Sequence, residues 1–446
     1  MRIIIIGAVA AGTSAATKAR RNDSKADIII YEKDYDISYA SCGLPYYIGG
    51  DIEEIEDLEP RSPQTFRDKY GIEIKNMQEV TEINTVNREL TIKNLYTGEN
   101  YTDHYDKLII ATGAKSIIPD IKGINQQHVF TVRSIQDAIK IKNYIKNLNP
   151  ESASIIGTGF IGLEMLDNLV KLGIKTTLID NDEKLTSNLE MVMAEELESI
   201  IREHHVPILK NAKTTQINSR TISFQDGREI DSDLVILAIG LKPEVTLAEK
   251  AGIELGETGA IRVTAKMETN ISDIYACGDC IETFSAITGK SVYVPLGTTA
   301  NKTGRIAGDS ITGGALEYRG NLGTSIFKIF DYTVASTGLN KNEAIFAGYD
   351  VIEIMHGARN KPAYMEGEKI KIVAFADKRT RKLLGVQMIG KEGVDKRLDV
   401  YVTLITYEAV IDDLFHLDLA YAPPYSNVKD LVHYTGMIFE SKMIKK

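Results

Sequence analysis

Cysteine is scarce in this chain of 446 residues. Cys42, Cys277 and Cys280 are the three present, too few and too unevenly spread for a disulfide scaffold. Long apolar runs are missing too: no stretch reaches the roughly 18 consecutive apolar residues that a membrane-spanning helix needs. No low-complexity tract calls for disorder. The chain opens MRIIIIGAVAAG, where a buried strand beginning at Arg2 leaves no room for a charged n-region, an apolar h-region and a cleavage site. A cytoplasmic protein is expected, with no membrane partner. Cations are in deficit, 52 Lys and Arg against 62 Asp and Glu, for a net charge of −10. That balance argues against nucleic acid as the main partner, because affinity for phosphate backbones depends on clustered Lys and Arg.

What remains is a globular composition, 43% hydrophobic and 26% charged with 35 glycines, and a length that suggests about three domains. Two segments repeat one pattern of apolar strand, glycine turn, helix, second strand and terminal acid. The first runs from RIIIIG through AAGTSAATKARRN to ADIIIYE and closes on Glu32. The second, ASIIGTGFIGLEMLDNLVKLGIKTTLID, closes on Asp180. Such a repeat points to two nucleotide-binding units. Two further strand-like runs, YDKLIIATG and DLVILAIG, also end in glycine. After about residue 320 the pattern becomes that of an antiparallel sheet in a separate α+β domain. There follows VDKRLDVYVTLITYEAVIDDLFHL, which reads as one helical stretch.

GTGFIG carries all three glycines of a dinucleotide loop. Gly157 permits the tight turn, Gly159 lets a pyrophosphate approach the backbone, and Gly162 allows close helix-to-strand packing, with the helix N-terminus facing the phosphate charge. Asp180 would accept a hydrogen bond from a ribose 2′-OH and repel a 2′-phosphate, and Asn181 and Asp182 offer no arginine to reverse that. NADH is therefore favoured, with NADPH possible. GAVAAG, from Gly7 to Gly12, has Val9 at the central glycine position. Its weight comes from Glu32 and from the later TNISDIYACGDC, which puts Gly278 and Asp279 after a strand and at an expected helix start, suited to flavin hydroxyls.

The ordered set GAVAAG, YEK, SYASCGLPYYIGG, ATGAKS, GTGFIG, YACGDC and AYAPPYSNVKD resembles the coenzyme A disulfide reductase and NADH oxidase/peroxidase branch of the flavoprotein disulfide reductases. The resemblance runs from Met1 into the final segment. It implies an α/β fold of the glutathione-reductase kind, with two Rossmann-like nucleotide-binding domains and a C-terminal α+β dimerisation domain. The expected boundaries are 1–113 and 244–318 for a discontinuous FAD-binding domain, 114–243 for the NAD(P)H-binding domain and 319–446 for dimerisation. It also implies a homodimer in which one subunit completes its neighbour's active site. Lys33, Thr112 and Gly113 join the glycines and acids as expected cofactor contacts.

Dithiol members of the wider superfamily would place a second cysteine five residues from Cys42, where this chain has Ile37 and Tyr47. The disulfide partner must then come from outside: a single thiolate beside a flavin can exchange with a disulfide and remain as a mixed disulfide that the flavin's electrons cleave. Gly43 and Pro45 shape a turn at a helix start, which is expected to lower the thiol pKa. Peroxidase and oxidase members carry a His where this chain has Ala10, so disulfide or persulfide reduction is favoured over peroxide or oxygen chemistry. Coenzyme A disulfide is the expected substrate and coenzyme A the expected adduct on Cys42. Lys18, Arg21 and Arg20, with Arg61, are candidate partners for its phosphates, and Ser38 and Ser41 offer hydroxyls near the sulfur. Each arginine also suits a solvated helix face. The resemblance implies partner-subunit tyrosines near the sulfur, from Tyr421, Tyr425 and Tyr364, where a phenol can donate to a developing thiolate. Cys277 and Cys280 form a CxxC inside the flavin segment and are not read as a redox or metal pair; His204 and His205 are read as solvated, and no metal is expected. The competing classes are an electron-transfer flavoprotein serving a protein partner, for which Cys42 would be incidental, and a redox-controlled binding protein.

Overall fold

Four successive isoleucines, Ile3 to Ile6, are buried on both faces of the strand Arg2–Ile6, as befits the centre of a parallel sheet. In the computed structural model, which describes residues 1–444, this strand pairs in parallel with Asp27–Tyr31 on one side and Lys107–Ile110 on the other. Glu73–Lys75 and Ile274–Ala276 complete the sheet at its two edges. Ser152–Ile156 sits the same way in a second five-stranded sheet, between Lys175–Ile179 and Leu234–Leu237, with Ile208–Leu209 and Val129–Thr131 outermost. The sequence repeat is thus a repeat of topology. It extends to single atoms: Gly7 and Gly157 both turn at φ +108°. Their N–H groups donate to the last carbonyl of the neighbouring strand, Tyr31 at 2.8 Å and Ile179 at 2.9 Å.

The strand Ile274–Ala276 follows the whole second unit in sequence, yet it hydrogen-bonds Lys107–Ile110 of the first sheet. The two units are joined by an antiparallel pair, Ala114–Ser116 with Leu241–Pro243, where Thr112 Oγ1 donates to the Glu244 carbonyl at 2.6 Å.

The C-terminal part is a five-stranded antiparallel sheet, two of its three inner strands, Lys369–Asp377 and Leu383–Gly390, almost wholly buried. Side chains alternate across its pleat. Val373 and Phe375 pack with the second nucleotide unit, through Leu163 and Leu166. Ile372 and Ala374 pack with Leu398 and Leu431, from the helices Val394–Thr406 and Leu431–Ile444.

Two expectations are corrected here. The stretch from Val394 is not one helix: it ends at Thr406 and resumes as the single turn Asp413–His416. Glu408 takes φ +55°, and the backbone at Ala409 and Ile411 pairs with Leu383 and Arg381 at the sheet's end. Sheet pairing captures hydrogen bonds that the helix would otherwise use. Asp279 does not begin a helix; it lies in a turn, which Tyr293 fixes by donating to its carbonyl at 2.9 Å. Among the described residues no helix is long and apolar enough to cross a membrane.

Candidate active site

Each terminal acid reaches back to its own glycine loop. Glu32 is buried and accepts from Ala8 N at 2.7 Å and Asp34 N at 3.0 Å. Burial pushes its carboxyl pKa up against the pull of those two N–H groups. Asp180 likewise accepts from Thr158 N at 3.1 Å, from the Thr158 hydroxyl, and from Asp182 N at 2.9 Å. A carboxylate has about four lone-pair sites, so each acid keeps capacity for ribose hydroxyls.

The helices that follow the loops, Ala10–Asn22 and Phe160–Lys171, start without a side-chain cap, at Val9 and Gly159. Ser62, Ser134 and Asn340 cap helices elsewhere in the chain. Uncapped N–H groups at a glycine loop are what a pyrophosphate needs. A Cβ on Gly12 would stand 1.8 Å from the Gly7 carbonyl oxygen, and one on Gly162 2.3 Å from that of Gly157. Gly278, at φ +83°, presses the 277–280 turn onto Ala11, where a Cβ would meet the alanine methyl at 2.7 Å. Lys33 is exposed, and Thr112 and Gly113 lie at the junction of the two units.

Cys42 occupies the short 3-10 turn Ser41–Gly43, which runs into the helix Leu44–Gly49 with Pro45 in its first turn. A Cβ on Gly43 would lie 2.3 Å from a methyl of Leu58, so that side chain would have to turn aside to admit one. Ser38, buried and at φ +51°, donates its N–H to the Ala8 carbonyl at 2.8 Å and ties this segment to the first glycine loop. The helix Leu44–Gly49 packs on Phe160–Lys171 so closely that a Cβ on Gly49 would overlap Asn168. The sulfur therefore sits where the two nucleotide units meet.

The thiol does not behave as its position at a helix start suggested. Cys42 reaches solvent, yet enough protein surrounds its sulfur that burial is the largest influence and pushes the pKa up. Glu164 and Asp279 add to that rise, whereas the Ser41 hydroxyl and Arg133 oppose it. Glu164 is itself raised to about 7 by burial, against a hydrogen bond from the Tyr46 hydroxyl at 3.4 Å. Asp279 pairs with Arg133 at 3.0 Å. Glu164, Tyr46 and Arg133 escaped the sequence reading. Glu164 follows the last loop glycine by two positions and faces the sulfur only once the units pack; Arg133 is separated from Asp279 by 146 residues.

The proposed coenzyme A contacts divide. Lys18 pairs with Asp309 at 2.9 Å, and Arg20 donates to the carbonyls of Tyr70, Gly71 and Ser24; both cations are thereby engaged within the fold. Arg21 is exposed at the end of its helix. Arg61 lies over the Phe66 ring at 5.3 Å. The Ser41 hydroxyl meets the Cys42 thiol, whereas Ser38 is buried. Tyr364, Tyr421 and Tyr425 are exposed by 73%, 47% and 73% on the C-terminal domain. Tyr421 and Tyr425 line a cavity of about 500 Å³ together with Asn360 and Glu392, and none of the three phenols hydrogen-bonds the Cys42 of its own chain among the described residues. Ile37 is buried and Tyr47 lies under the Lys142 ammonium at 3.6 Å. Cys277 and Cys280 are wholly buried, and Cys280 donates weakly to the Cys277 carbonyl at 3.2 Å. His204 is not simply solvated: its ring stacks on Phe330 at 3.7 Å.

Residues 1–304 match the model of the pyridine nucleotide-disulphide oxidoreductases, and residues 324–432 match that of their dimerisation domain. The chain is 34% identical to a coenzyme A disulfide reductase of Staphylococcus haemolyticus over 98% of both chains. It is 38% identical to an NAD(P)H sulfur oxidoreductase (CoA-dependent) of Pyrococcus furiosus, over 96% of this chain and 97% of that one. The crystal structure of reduced Bacillus anthracis CoADR-RHD superposes with a TM-score of 0.97 at 37% identity, covering 99% of this chain and 80% of that one.

Proposed function

The chain belongs to the pyridine nucleotide-disulphide oxidoreductase family, and from that premise we propose that it reduces coenzyme A disulfide to two coenzyme A thiols with NAD(P)H, through a mixed disulfide on Cys42. The observation that carries this reading is the position of a lone thiol between the two nucleotide units, under the charges of Asp279 and Glu164, with no second cysteine beside it.

FAD belongs to residues 1–113 and 244–318, on the uncapped helix start after Gly7, with Glu32 for the adenine ribose and the turn at Gly278 and Asp279 for the far end of the cofactor. NADH belongs to residues 114–243, on Gly157, Gly159 and Gly162, with Asp180 favouring a free 2′-OH. When bound, FAD carries the electron pair from the nicotinamide to the sulfur. Residues 319–446 form the dimerisation domain, and the molecule works as a homodimer in the cytoplasm.

The Cys42 thiolate attacks one sulfur of the substrate; the substrate S–S bond breaks and the first coenzyme A leaves as a thiolate. The mixed disulfide Cys42–S–S–CoA remains. Two electrons, from one NADH, then cleave it, releasing the second coenzyme A and restoring the Cys42 thiolate. Each departing thiolate takes up one proton, so one NADH and one H⁺ are consumed per disulfide. A phenol from Tyr364, Tyr421 or Tyr425 of the partner subunit donates to the leaving sulfur. Arg21 meets the coenzyme A phosphates, and Ser38 and Ser41 border the thiol-bearing arm.

Cys42→Ala tests the reading. The variant should bind FAD and accept electrons from NADH, as seen by bleaching of the flavin band, and should pass none to coenzyme A disulfide. Undiminished disulfide turnover would instead favour direct electron transfer to an acceptor. A persulfide of coenzyme A is the second reading, favoured by the similarity to the CoA-dependent sulfur oxidoreductase; it uses the same thiol, and competition between the two acceptors separates them.

A further inference from the structure

Arg397 is 1% exposed in the helix Val394–Thr406, and its guanidinium makes four hydrogen bonds to three separate segments. Nε and Nη2 donate to the two carboxylate oxygens of Asp430 at 2.9 and 2.7 Å. Nη2 also donates to the Asn360 carbonyl at 2.8 Å, and Nη1 to the Gly393 carbonyl at 2.8 Å. Burying a guanidinium is costly, and an apolar side chain of the same size often stabilises as well. What an apolar side chain cannot do is present a rigid fork to acceptors on three segments at once.

Two of those segments carry the exposed tyrosines. Asn360 begins the loop that bears Tyr364 and closes it at the base, its N–H donating to the Glu368 carbonyl and its Oδ1 accepting from Glu368 N, both at 2.8 Å. Asp430 ends the segment that bears Tyr421 and Tyr425, and also accepts from Val432 N at the start of the last helix. Within that segment Ser426, fully buried, staples the turn by donating to the Ala420 carbonyl at 3.0 Å. Asn427 ties one loop to the other, donating to the Arg359 carbonyl at 2.7 Å. Gly393 must lack a side chain, since a Cβ there would stand 2.6 Å from Arg397 Nη1.

We propose that Arg397 is a positioning residue that locks the Tyr364 loop and the Tyr421–Tyr425 loop into one rigid unit, so that both present their phenols together at Cys42 of the partner subunit. This rests on the function proposed above.

The test uses the FAD-loaded dimer, with the two half-reactions followed separately by flavin absorbance. Arg397→Met should leave reduction by NADH unchanged and slow reoxidation by coenzyme A disulfide by about 10- to 100-fold, the cost of displacing a reacting group by about an ångström. The loss should fall on kcat and not on KM for the disulfide. In a Tyr364→Phe/Tyr421→Phe/Tyr425→Phe background the same substitution should cost nothing further. Asn427→Ala, which removes only the tie between the loops, should slow reoxidation several-fold and serves if Arg397→Met does not fold. Equal slowing of both half-reactions, an additive loss in the phenylalanine background, or an Asn427→Ala protein with unaltered reoxidation overturns the proposal. If the triple phenylalanine variant itself reoxidises at full rate, the role given to the tyrosines is what fails, and the positioning role falls with it.

Discussion

Glu164 and Cys42 belong to different nucleotide units, yet the carboxylate of one raises the pKa of the thiol of the other. The helix after the second glycine loop packs against the helix after Cys42, and this brings an acid to the reactive sulfur. A thiolate beside a carboxylate is disfavoured by like charge, and Glu164 is itself pushed up to about 7 by burial.

Glu164→Gln should therefore lower the Cys42 pKa. In the reduced enzyme, the pH profile of Cys42 alkylation should move to lower pH, and alkylation at pH 7 should quicken. An unmoved profile, or one moved upward, would show that Glu164 does not act on the sulfur.

Asp180 is expected to discriminate at the ribose 2′ position. Asp180→Ala should lower kcat/KM for NADH by about 10-fold, the worth of one hydrogen bond from a charged group, and should raise kcat/KM for NADPH by removing the repulsion. Steady-state kinetics with both coenzymes decide it, with FAD content as the control for the lost Thr158 contact.

Gly12 tests the first loop. A Cβ there cannot avoid the Gly7 carbonyl oxygen, so Gly12→Val must force the helix Ala10–Asn22 off the strand that feeds it. The variant should purify with little or no flavin absorbance and melt at a lower temperature than the parent. Full flavin occupancy in this variant would argue that the loop does not hold FAD.

His356 is expected to make the C-terminal domain sensitive to acid. Its Nε2 meets the Thr435 hydroxyl at 2.8 Å, and burial lowers its pKa from 6.5 to about 4. Between those values the unfolded chain binds a proton that the folded chain refuses. The stability it confers is therefore full above about pH 6.5 and is lost as the pH falls towards 4, by ~1–3 kcal/mol allowing for partial exposure. His356→Gln should flatten the loss of melting temperature between pH 6.5 and 5; an identical slope would contradict the assignment.

Local spacing made much of this fold legible. Gly7 and Gly157 sit at matched places in a repeated strand-turn-helix, and both adopt the left-handed turn that such a place demands. Ile3 to Ile6 read as a doubly buried strand and are one. Glu32 and Asp180 stand at strand ends, and both fold back to their loops. Contacts made by packing of distant segments left no periodic mark. Arg133 meets Asp279, Glu164 approaches Cys42 and Arg397 spans three segments, all through tertiary structure. Where local and tertiary demands compete, tertiary pairing prevails: the helical pattern through Tyr407 is broken because residues 409–411 pair with the start of the strand Leu383–Gly390. At Cys42, too, the influences that raise the thiol pKa, burial and then the carboxylates of Glu164 and Asp279, come from tertiary packing.

The most direct measurement is the intact mass of the oxidised enzyme after exposure to coenzyme A disulfide without NADH. The account predicts one coenzyme A per subunit, mapped by peptide digestion to Cys42 and released by NADH. An enzyme that turns over coenzyme A disulfide while carrying no adduct at Cys42, or carrying it on Cys277 or Cys280, would contradict it.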